Sequence, residues 1–384
     1  MLLLNYFNFV NIDYLKIMNS LGFNKKSKET KVVVAMSGGV DSSVTAAMLK
    51  KEGYDVVGVT MRLYNQNNVV KSKTCCAGQD IEDAKNIANQ FDFPHYTFDY
   101  QNKFFSGVID KFVESYTNGE TPVPCISCNQ TVKFTDLLHE AKKINADALI
   151  TGHYARRIGN LDDAKLFKAK DISKDQSYFL FATTKEQLNF LRFPLGEYLK
   201  SEIRDIANEL KLIVKNKPDS QDICFVTSKS YRDLIDKLAP NSNIEGNFFD
   251  LQDNIIGKHA GISNYTVGQR KGLGIGGHKQ PYYVIKIDKK NNSIYLGHEE
   301  DLKKNKIFIK NLNWLDSPNI NSKIKCSAKI RSTQKEYSGE LNINSSSIFF
   351  KFDEKIITTS PGQACVFYKK DQVLGGGWIT KTEN

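Results

Sequence analysis

The sequence has no apolar stretch that approaches the roughly 20 residues needed to cross a bilayer. Its N-terminal segment begins with apolar residues, but it has neither a basic region nor a small-residue cleavage site, so a signal peptide is not indicated. We interpret residues 1–28 as an extension, with Met18 as an alternative start. The seven cysteines are an odd number in a long chain, which argues against a secreted disulfide framework. We therefore predict a cytoplasmic protein without membrane attachment.

The sequence also lacks internal repeats and low-complexity segments. Its 384 residues are enough for two or three domains with a buried core. Lysine and arginine together number 53 and aspartate and glutamate 43, which gives a formal charge of +10. That excess favours a polyanionic partner such as nucleic acid, although it could equally serve solubility.

The stretch 31–45 has the pattern of a strand, a glycine turn and a helix start. The apolar run from Val32 to Met36 is typical of a strand buried on both faces of a parallel sheet. Gly38 and Gly39 permit a tight turn, and Asp41 or one of the two serines after it is expected to cap the helix. Free N–H groups and the positive end of the helix dipole then form an anion site. An ordinary strand-to-helix turn that merely uses glycine is the alternative.

Strand and helix patterns alternate through about residue 225, which predicts βαβ units and a parallel sheet of the α/β class. Strands are expected at 56–61, 95–99 and 148–151, and helices at 81–91, 132–144 and 203–210. Such sheets bind ligands beyond the carboxyl ends of their strands. Short alternating runs near the C-terminus predict a small β-barrel. We therefore expect an α/β domain at 29–228, a central linker domain at 229–302 and a β-barrel at 303–384.

Two cysteines occur in the motif Cys125-Ile126-Ser127-Cys128, after a segment that contains proline. The prolines predict an extended loop just ahead of a helix that starts near Val132. Near a helix N-terminus a thiol has a lowered pKa and more thiolate. A single pair of this spacing is compatible with a redox pair, half of a metal site or no special role. Cys224 precedes an apolar patch, where a buried, inert cysteine is the alternative.

The other four cysteines carry weaker signals. Cys75 and Cys76 are adjacent, and adjacent cysteines rarely chelate one metal. Cys326 and Cys365 fall inside runs with the β pattern, so we predict them in the core of the barrel.

The segment Ser37-Gly38-Gly39-Val40-Asp41-Ser42 matches the SGGxDS signature of the PP-loop ATP pyrophosphatases, after a strand and before a helix. It differs from the GxxxxGK[ST] loop because no lysine follows the glycines. The resemblance implies a parallel-sheet domain that splits ATP between the α and β phosphates and thereby activates an oxygen as its adenylate.

Further motifs follow this segment along the chain. They are Cys128-Asn129 with Lys133-Phe134, Thr151-Gly152-His153-Tyr154, Lys174 to Phe179, Ser220 to Phe225, Gly268 to Gly274 and Pro361 to Ala364. In this order they resemble the bacterial tRNA-specific 2-thiouridylases, over residues 31 to about 380. The resemblance implies a tRNA-uridine 2-sulfurtransferase that acts on the wobble position and uses ATP with Mg²⁺.

The resemblance also implies a reaction sequence. The carbon-2 oxygen of the uridine is adenylated, and pyrophosphate is released. Cys224 receives sulfur as a persulfide from a cysteine desulfurase or a sulfur-relay protein, and this sulfur replaces the adenylated oxygen with loss of AMP. Cys128 is the implied nucleophile that pairs with Cys224 as a disulfide afterwards. The adenylate supplies the leaving group that an amide-like carbonyl lacks.

Binding residues are implied in the same way. Those for ATP are Ala35, Met36, Ser37, Gly38, Gly39, Val40, Asp41, Ser42, Met61 and Gly152. Those for tRNA, with the barrel as a tRNA-binding domain, are Val123, Pro124, Cys125, His153, Lys174, Asp175, Gln176, Arg331, Ser332 and Gln363. Without the motifs, His153 would be interpreted as an ordinary loop histidine and the basic residues as a solvated face.

One position departs from the family pattern. Well-known members have an aspartate, proposed as an acid–base group, where this chain has Cys125, although other members also have cysteine there. General acid catalysis at this position is therefore not implied for this chain. Cys125, Cys128 and Cys224 could instead hold a [4Fe–4S] cluster with one open iron. Two other functions remain open, namely a PP-loop synthetase for a small molecule and a non-catalytic RNA-binding protein with a structural zinc.

Overall fold

A computed structural model of the protein describes residues 18–63, 78–219, 223–226, 230–276, 280–315 and 322–384. The predictions on Cys75, Cys76 and the segment 220–222 lie outside these ranges. None of the helices within these ranges has both the length and the apolar character that a membrane crossing requires.

The first unit of the structure is built on a parallel sheet. In chain order its strands are β1 (Lys31–Ala35), β2 (Asp55–Arg62), β3 (His95–Asp99), β4 (Ala148–Thr151), β5 (Ala155–Gly159), β6 (Ala164–Lys168) and β7 (Leu191–Arg192). Five of these strands pair in parallel in the order β3-β2-β1-β4-β7. The predicted parallel α/β fold is confirmed, and the three later strands expected from the sequence are present.

Helices cover both faces of this sheet. In chain order they are α1 (Val40–Lys51), α2 (Gly78–Gln90), α3 (Gln101–Phe104, Phe105–Ile109 and Asp110–Thr117), α4 (Pro124–Cys128, Asn129–Leu137 and Leu138–Lys143), α5 (Lys185–Phe190) and α6 (Lys200–Glu209). The middle pieces of α3 and α4 are π-helical. Val33 of β1 packs into the core on one face, while Val32 and Val34 pack into the core on the other. Burial on both faces explains why this strand is apolar without interruption.

The direction in which strands are added to the sheet reverses at β1. This strand pairs with β2 on one side and with β4 on the other, and the chain runs through β2 and β3 before it returns to β4. Such a reversal leaves a crevice beyond the carboxyl ends of the two central strands, which here end at Ala35 and Thr151. The glycine turn that follows β1 therefore lies at this crevice.

Two β units follow the parallel sheet. The central unit contains α7 (Tyr231–Leu238) and the strands β8 (Gly246–Phe249), β9 (Ile255–His259), β10 (Tyr283–Asp288) and β11 (Ser293–Gly297). The last unit contains β12 (Lys303–Trp314), β13 (Ser322–Lys329), β14 (Tyr337–Ile343), β15 (Ile348–Ile357), β16 (Ala364–Lys369) and β17 (Gln372–Glu383). Because β12 pairs with both β15 and β17, these strands close into a barrel. The predicted C-terminal β-barrel is confirmed.

The sequence patterns did not predict the antiparallel hairpin formed by β5 and β6. This hairpin belongs to the first unit along the chain, yet it extends the barrel sheet, because β6 pairs with β17 through Leu166 and Val373. Buried side chains of the first unit and of the barrel also share one core. The domain boundaries at residues 28, 228 and 302 stay predictions.

Part of the segment interpreted as an extension packs against the first unit. Leu21 and Phe23 are buried and join the core on one face of the parallel sheet. Arg192 Nε donates to the Leu21 carbonyl oxygen at 2.8 Å, and its guanidinium lies 4.6 Å from the centroid of the Phe23 ring. Leu21 and Phe23, which precede β1 in the chain, therefore contribute to the stability of this unit.

Tyr178 links the first unit to the barrel through a buried hydrogen bond, in which its hydroxyl donates to the Ala364 carbonyl oxygen at 3.0 Å. Tyr178→Phe removes this donor, so we expect the free energy of unfolding to fall by about 1–3 kcal/mol. Urea denaturation followed by tryptophan fluorescence measures the change. Tyr96→Phe is the control, because the Tyr96 side chain is exposed. If Tyr178→Phe lost no more stability than Tyr96→Phe, this hydrogen bond would not stabilise the contact between the first unit and the barrel.

Candidate active site

The turn between β1 and α1 requires glycine at residue 38. Gly38 has a φ of 73°, and a Cβ atom there would lie 2.2 Å from the Asp80 carbonyl oxygen. Serines stabilise the same turn, because the Ser37 N–H donates to Ser42 Oγ at 3.1 Å. The turn therefore has a backbone shape that a residue with a side chain at position 38 cannot adopt.

Helix α1 begins at Val40, and Gly39 is its N-cap residue, without a side-chain capping bond. The prediction that Asp41 or a following serine caps the helix was wrong, because the extended backbone of Gly39 starts the helix earlier and places Asp41 inside the first turn. The first N–H groups of a helix have no intrahelical partner, and the helix dipole makes this end positive. The start of α1 therefore offers an anion site beside the glycine turn.

The end of β4 packs directly against this helix start. A Cβ atom on Gly152 would lie 3.0 Å from both the Asp41 carbonyl carbon and the Ser42 nitrogen, so the close approach requires glycine. Met61, near the end of β2, is buried and faces the same cavity as Gly152. The ends of β1, β2 and β4 therefore meet at the crevice that the strand order creates.

A cavity of about 470 Å³ occupies this crevice. Most of the site residues expected from the sequence line it, namely Ala35, Met36, Ser37, Gly39, Val40, Asp41, Ser42, Met61, Pro124, Cys125, Cys128, Gly152, His153, Lys174, Gln176 and Cys224. Those that do not line it are Gly38, Val123, Asp175, Arg331, Ser332 and Gln363. The structure therefore brings the glycine turn and three cysteines, which are distant in the chain, to one cavity.

Cys125 and Cys128 lie within helix α4 and not ahead of it. The helix begins at Pro124, so both cysteines belong to its first turns. The prediction of an extended loop up to a helix near Val132 was wrong, because proline suits the first helical position, where no N–H donor is needed. The motif is therefore held by helical backbone.

Burial raises the pKa of the Cys128 thiol, although the positive charge of Lys133 acts in the opposite direction. The expected lowering of its pKa was wrong, because the loss of hydration disfavours the thiolate more than the charge of Lys133 favours it. Cys128 is therefore a protonated thiol near neutral pH in this conformation.

Cys224 lines the same cavity as Cys128, and neither of the two forms a disulfide. The next residue, Phe225, anchors this part of the chain in the core. Its ring makes edge contacts with Phe104 and Phe112, at centroid separations of 5.7 and 5.2 Å. The anchor holds the Cys224 segment at the cavity wall.

Within the ranges that the structure describes, no three side chains of histidine, cysteine, aspartate or glutamate form a group that could hold a metal ion. Cys125, Cys128 and Cys224 all fall in these ranges, so the geometry gives the iron–sulfur alternative no support. Mg²⁺ has a different requirement, because at nucleotide sites it binds through one or two carboxylates and the substrate phosphates. Asp41, beside the phosphate-type turn, fits that donor set.

Asp41 belongs to an ion-pair network that the sequence analysis missed. Lys200 Nζ contacts the two carboxylate oxygens of Asp41 at 2.7 and 2.8 Å, and the Tyr154 hydroxyl donates to Asp41 Oδ1 at 2.8 Å. Lys200 also contacts Asp219 at 3.0 Å. Lys200 and Asp41 are 159 residues apart, so no spacing pattern in the sequence connects them.

Asp219 has three basic partners. Lys174, Lys200 and Arg204 contact it at 2.9, 3.0 and 2.6 Å. Burial would raise the pKa of this carboxyl, but the hydrogen bonds and charges of Lys174 and Lys200 outweigh burial and hold the pKa well below its ordinary value. Asp219 is therefore a carboxylate at neutral pH, and it fixes three cations beside the cavity.

A further lysine binds the glycine turn from the side of α2. Lys217 Nζ donates to the Gly38 carbonyl oxygen at 2.9 Å and to Asp83 at 2.8 Å, and it also pairs with Asp80. No local pattern in the sequence indicates this contact. It ties the turn to the neighbouring helix and so limits its movement.

His153 is a neutral ring next to aromatic side chains. The ring centroids of Phe134 and Phe193 lie 6.1 and 6.2 Å from it, and a hydrogen bond of 2.8 Å joins Nδ1 to Thr151 Oγ1. Burial, and then the charge of Lys133, lower the pKa of His153 to about 3. His153 can therefore contact a substrate through stacking or hydrogen bonding, but not as a cation.

Three residues assigned to tRNA by resemblance make structural contacts elsewhere. Arg331 Nε donates to Thr359 Oγ1 at 2.8 Å within the barrel. Gln363 Nε2 donates to the Thr121 carbonyl oxygen at 2.9 Å and so joins the barrel to the segment before α4. Asp175 accepts two backbone N–H bonds in its own part of the chain, at 3.0 and 3.2 Å. Their roles toward tRNA stay proposals.

The fold and cavity define an α/β nucleotide-binding protein of the HUP class with two additional β units. Residues 30–228 match the family described as tRNA methyl transferase HUP domain. Residues 232–298 match the tRNA methyl transferase PRC-barrel domain, and residues 304–379 match the Aminomethyltransferase beta-barrel domain.

Curated relatives are similar over nearly the whole chain. The tRNA-specific 2-thiouridylase MnmA of Rickettsia conorii is 49% identical over 363 residues, which are 93% of this chain and 97% of the relative. The proteins of the same name from Orientia tsutsugamushi and Rhodospirillum centenum are 50% and 46% identical, over 94% and 95% of this chain and 99% and 95% of their own. The chain belongs to the family of tRNA-specific 2-thiouridylases.

One solved structure shares the fold of part of the chain, with a weak likeness. A 4-thiouridine synthetase–RNA complex with bound ATP has a TM-score of 0.35 and 16% identity, and the match covers 56% of this chain and 51% of that one.

The low pKa of His153 predicts a pH-dependent stability. Because the histidine has a pKa of about 6.5 when unfolded and about 3 when folded, the unfolded state binds the extra proton between these values. Stability should therefore be complete above pH 6.5 and fall on acidification below it, with a slope of at most about 1.4 kcal/mol per pH unit from this residue.

Urea denaturation at pH 7.5 and 5.5 measures the effect. We expect His153→Asn, which retains a hydrogen-bonding group near Thr151, to lose less stability on acidification than the unchanged protein. His139→Asn, at an exposed position, should behave like the unchanged protein. Equal losses in all three proteins would show that protonation of His153 does not oppose folding.

Proposed function

We propose that this chain uses ATP to replace the carbon-2 oxygen of the wobble uridine of tRNA with sulfur. The observation that carries the proposal is the cavity at which the glycine turn meets Cys128 and Cys224. Activation and sulfur transfer act on one carbon atom, so both sets of groups must reach the same place in the substrate. Identities of 46–50% to tRNA-specific 2-thiouridylases, over more than nine tenths of the chain, support the same substrate class.

The matching HUP family is named for methyl transfer, whereas the curated relatives are named for thiolation. Two observations favour thiolation. A glycine turn at a helix start suits a phosphate, and the same cavity holds two cysteines that can carry sulfur.

In the first step the carbon-2 oxygen attacks the α phosphorus of ATP. The bond from that phosphorus to the bridging oxygen breaks, pyrophosphate leaves with the electron pair, and the uridine loses its N3 proton to solvent. The glycine turn and the start of α1 hold the phosphates, while Met61 and Gly152 line the adenosine side. When bound, Mg²⁺ would offset the negative charge of the phosphates, and Asp41 is the residue that would hold the ion.

In the second step the terminal sulfur of a Cys224 persulfide attacks carbon 2, and AMP leaves with the former carbon-2 oxygen. Cys128 then loses its thiol proton to solvent and attacks the Cys224 sulfur as a thiolate, which breaks the bond between Cys224 and the transferred sulfur. A Cys128–Cys224 disulfide forms, and the transferred sulfur stays on the ring. The two cysteines lose two electrons, and the sulfur atom gains them. A dithiol reductant then reopens the disulfide, and a cysteine desulfurase or sulfur-relay protein reloads Cys224.

The residues implied for tRNA contact divide into two groups. Val123, Pro124 and Cys125, together with His153, Lys174, Asp175 and Gln176, belong to the first unit and would surround the uridine. Arg331, Ser332 and Gln363 belong to the barrel and would contact the rest of the tRNA. The formal charge of +10 favours contact with phosphates. We place the reaction in the cytoplasm, where the tRNA is.

Asp41→Asn tests the adenylation step. The change removes the charged ligand for Mg²⁺ and the ion pair with Lys200, so we expect tRNA-dependent pyrophosphate release to fall roughly 10- to 100-fold. The control Asp55→Asn removes an exposed carboxylate that pairs with Lys31 at the opposite end of β2. If Asp41→Asn released pyrophosphate as fast as the unchanged protein, the glycine turn would have no role in adenylation. Release that does not require tRNA would indicate a PP-loop enzyme with a small substrate.

Cys128→Ser and Cys224→Ser test the sulfur step. We expect either change to abolish thiouridine formation while pyrophosphate release continues, because adenylation uses neither thiol. Mass spectrometry of tRNA nucleosides, after incubation with ATP and a persulfide, measures product per folded enzyme. Cys326→Ser, in the barrel, is the matched control. Near-normal turnover in Cys224→Ser would mean that Cys224 is a core residue and would end the persulfide proposal.

A further inference from the structure

Lys200 is a largely buried cation at the cavity, and it belongs to none of the sequence motifs. It is the first residue of α6, and only 12% of its side chain is exposed. Its ammonium lies 2.7 and 2.8 Å from the two oxygens of Asp41 and 3.0 Å from Asp219. The ammonium also lies 5.6 Å from the centroid of the Tyr154 ring. Two carboxylates therefore hold Lys200 beside the first turn of α1.

The charge of Lys200 resolves a conflict at this site. The start of α1 attracts phosphate, but the Asp41 carboxylate in the same turn would repel it. The positive charge of Lys200 offsets the negative charge of that carboxylate. Counting Asp41, Asp219 and their basic partners Lys174, Lys200 and Arg204, the network carries three positive and two negative charges, which is a net charge of +1 (3 − 2).

The network also permits Lys200 to change partners. Asp219 keeps Lys174 and Arg204, and Asp41 keeps the Tyr154 hydroxyl, if the ammonium moves to another anion. Neither carboxylate is then left buried without a partner, which is the arrangement that would be strongly unfavourable. A lysine has three donors on a flexible stem and so suits such an exchange.

We propose that Lys200 binds the pyrophosphate portion of ATP. This proposal rests on the proposed function in one respect, because that function identifies the anion as the pyrophosphate part of ATP. Negative charge grows on the departing pyrophosphate during adenylation, and a cation already present in a partly buried site stabilises that charge. Asp219 lies five residues before Cys224 (224 − 219), so the same network connects the phosphate site with the segment that carries the sulfur.

Calorimetric titration with inorganic pyrophosphate in the absence of Mg²⁺ and tRNA tests the assignment. We expect Lys200→Gln to weaken pyrophosphate binding roughly 10- to 100-fold, the effect of losing charged hydrogen bonds, and to change the affinity for AMP less than about twofold. Lys170→Gln is the control, because Lys170 is half exposed and pairs with Glu202 outside the cavity. Unchanged pyrophosphate affinity in Lys200→Gln would overturn the proposal, as would an equal loss of AMP affinity.

A second comparison separates direct binding from mere neutralisation of Asp41. Asp41→Asn is compared with the double variant Asp41→Asn/Lys200→Gln, in which both charges of the pair are removed and no unpaired charge remains at position 41. Direct binding predicts that the double variant binds pyrophosphate at least about tenfold more weakly than Asp41→Asn. Equal affinities would show that Lys200 acts only by neutralising Asp41 and would overturn the proposal. Because no tRNA is present, failure of tRNA thiolation would leave this result interpretable.

Discussion

The close packing of Gly152 against the first turn of α1 is the contact on which the candidate site depends. The end of β4 can approach the backbone of Asp41 only because residue 152 has no side chain. Two residues later Tyr154 reaches the Asp41 carboxylate, and Asp41 in turn holds Lys200. A carboxylate in the first turn of a helix is favoured by the dipole, and Lys200 offsets its charge toward other anions. One backbone contact therefore determines where the charged groups of the anion site lie.

The barrel influences the same site through the segment that leads to α4. The Thr121 N–H donates to the Pro361 carbonyl oxygen at 2.8 Å, and the Thr121 carbonyl oxygen accepts from Gln363 Nε2 at 2.9 Å. Thr121 comes shortly before Pro124, where the helix with Cys128 begins. The pairing of β6 with β17 and the shared core hold the barrel against the first unit. A displacement of the barrel would therefore also displace α4, the helix that contains Cys128. In this way the barrel can affect the candidate site, although it lies far from α4 in the sequence.

Local patterns predicted this molecule well where the determining contacts are local. The apolar run from Val32 to Met36 and the signature after it identified the central strand and the phosphate turn, because burial on two faces and a glycine turn leave few other arrangements. The hairpin of β5 and β6 was missed because its partner strand lies about 200 residues later, at Val373. The contact between Lys200 and Asp41 depends on the tertiary fold in the same way, and so does the pKa of Cys128, which burial controls more than helix position.

The raised pKa of Cys128 has a consequence for the order of events in the proposed mechanism. If Cys128 were a thiolate at rest, it could attack a persulfide on Cys224, form the disulfide and expel hydrosulfide before any uridine had been adenylated. Thiol–disulfide exchange requires the thiolate, so a protonated Cys128 makes this loss slow. Burial keeps the thiol protonated, while the nearby charge of Lys133 limits how far its pKa rises. In the proposed mechanism the buried Cys128 can therefore share a cavity with Cys224 without discharging the sulfur, so its burial would protect the persulfide.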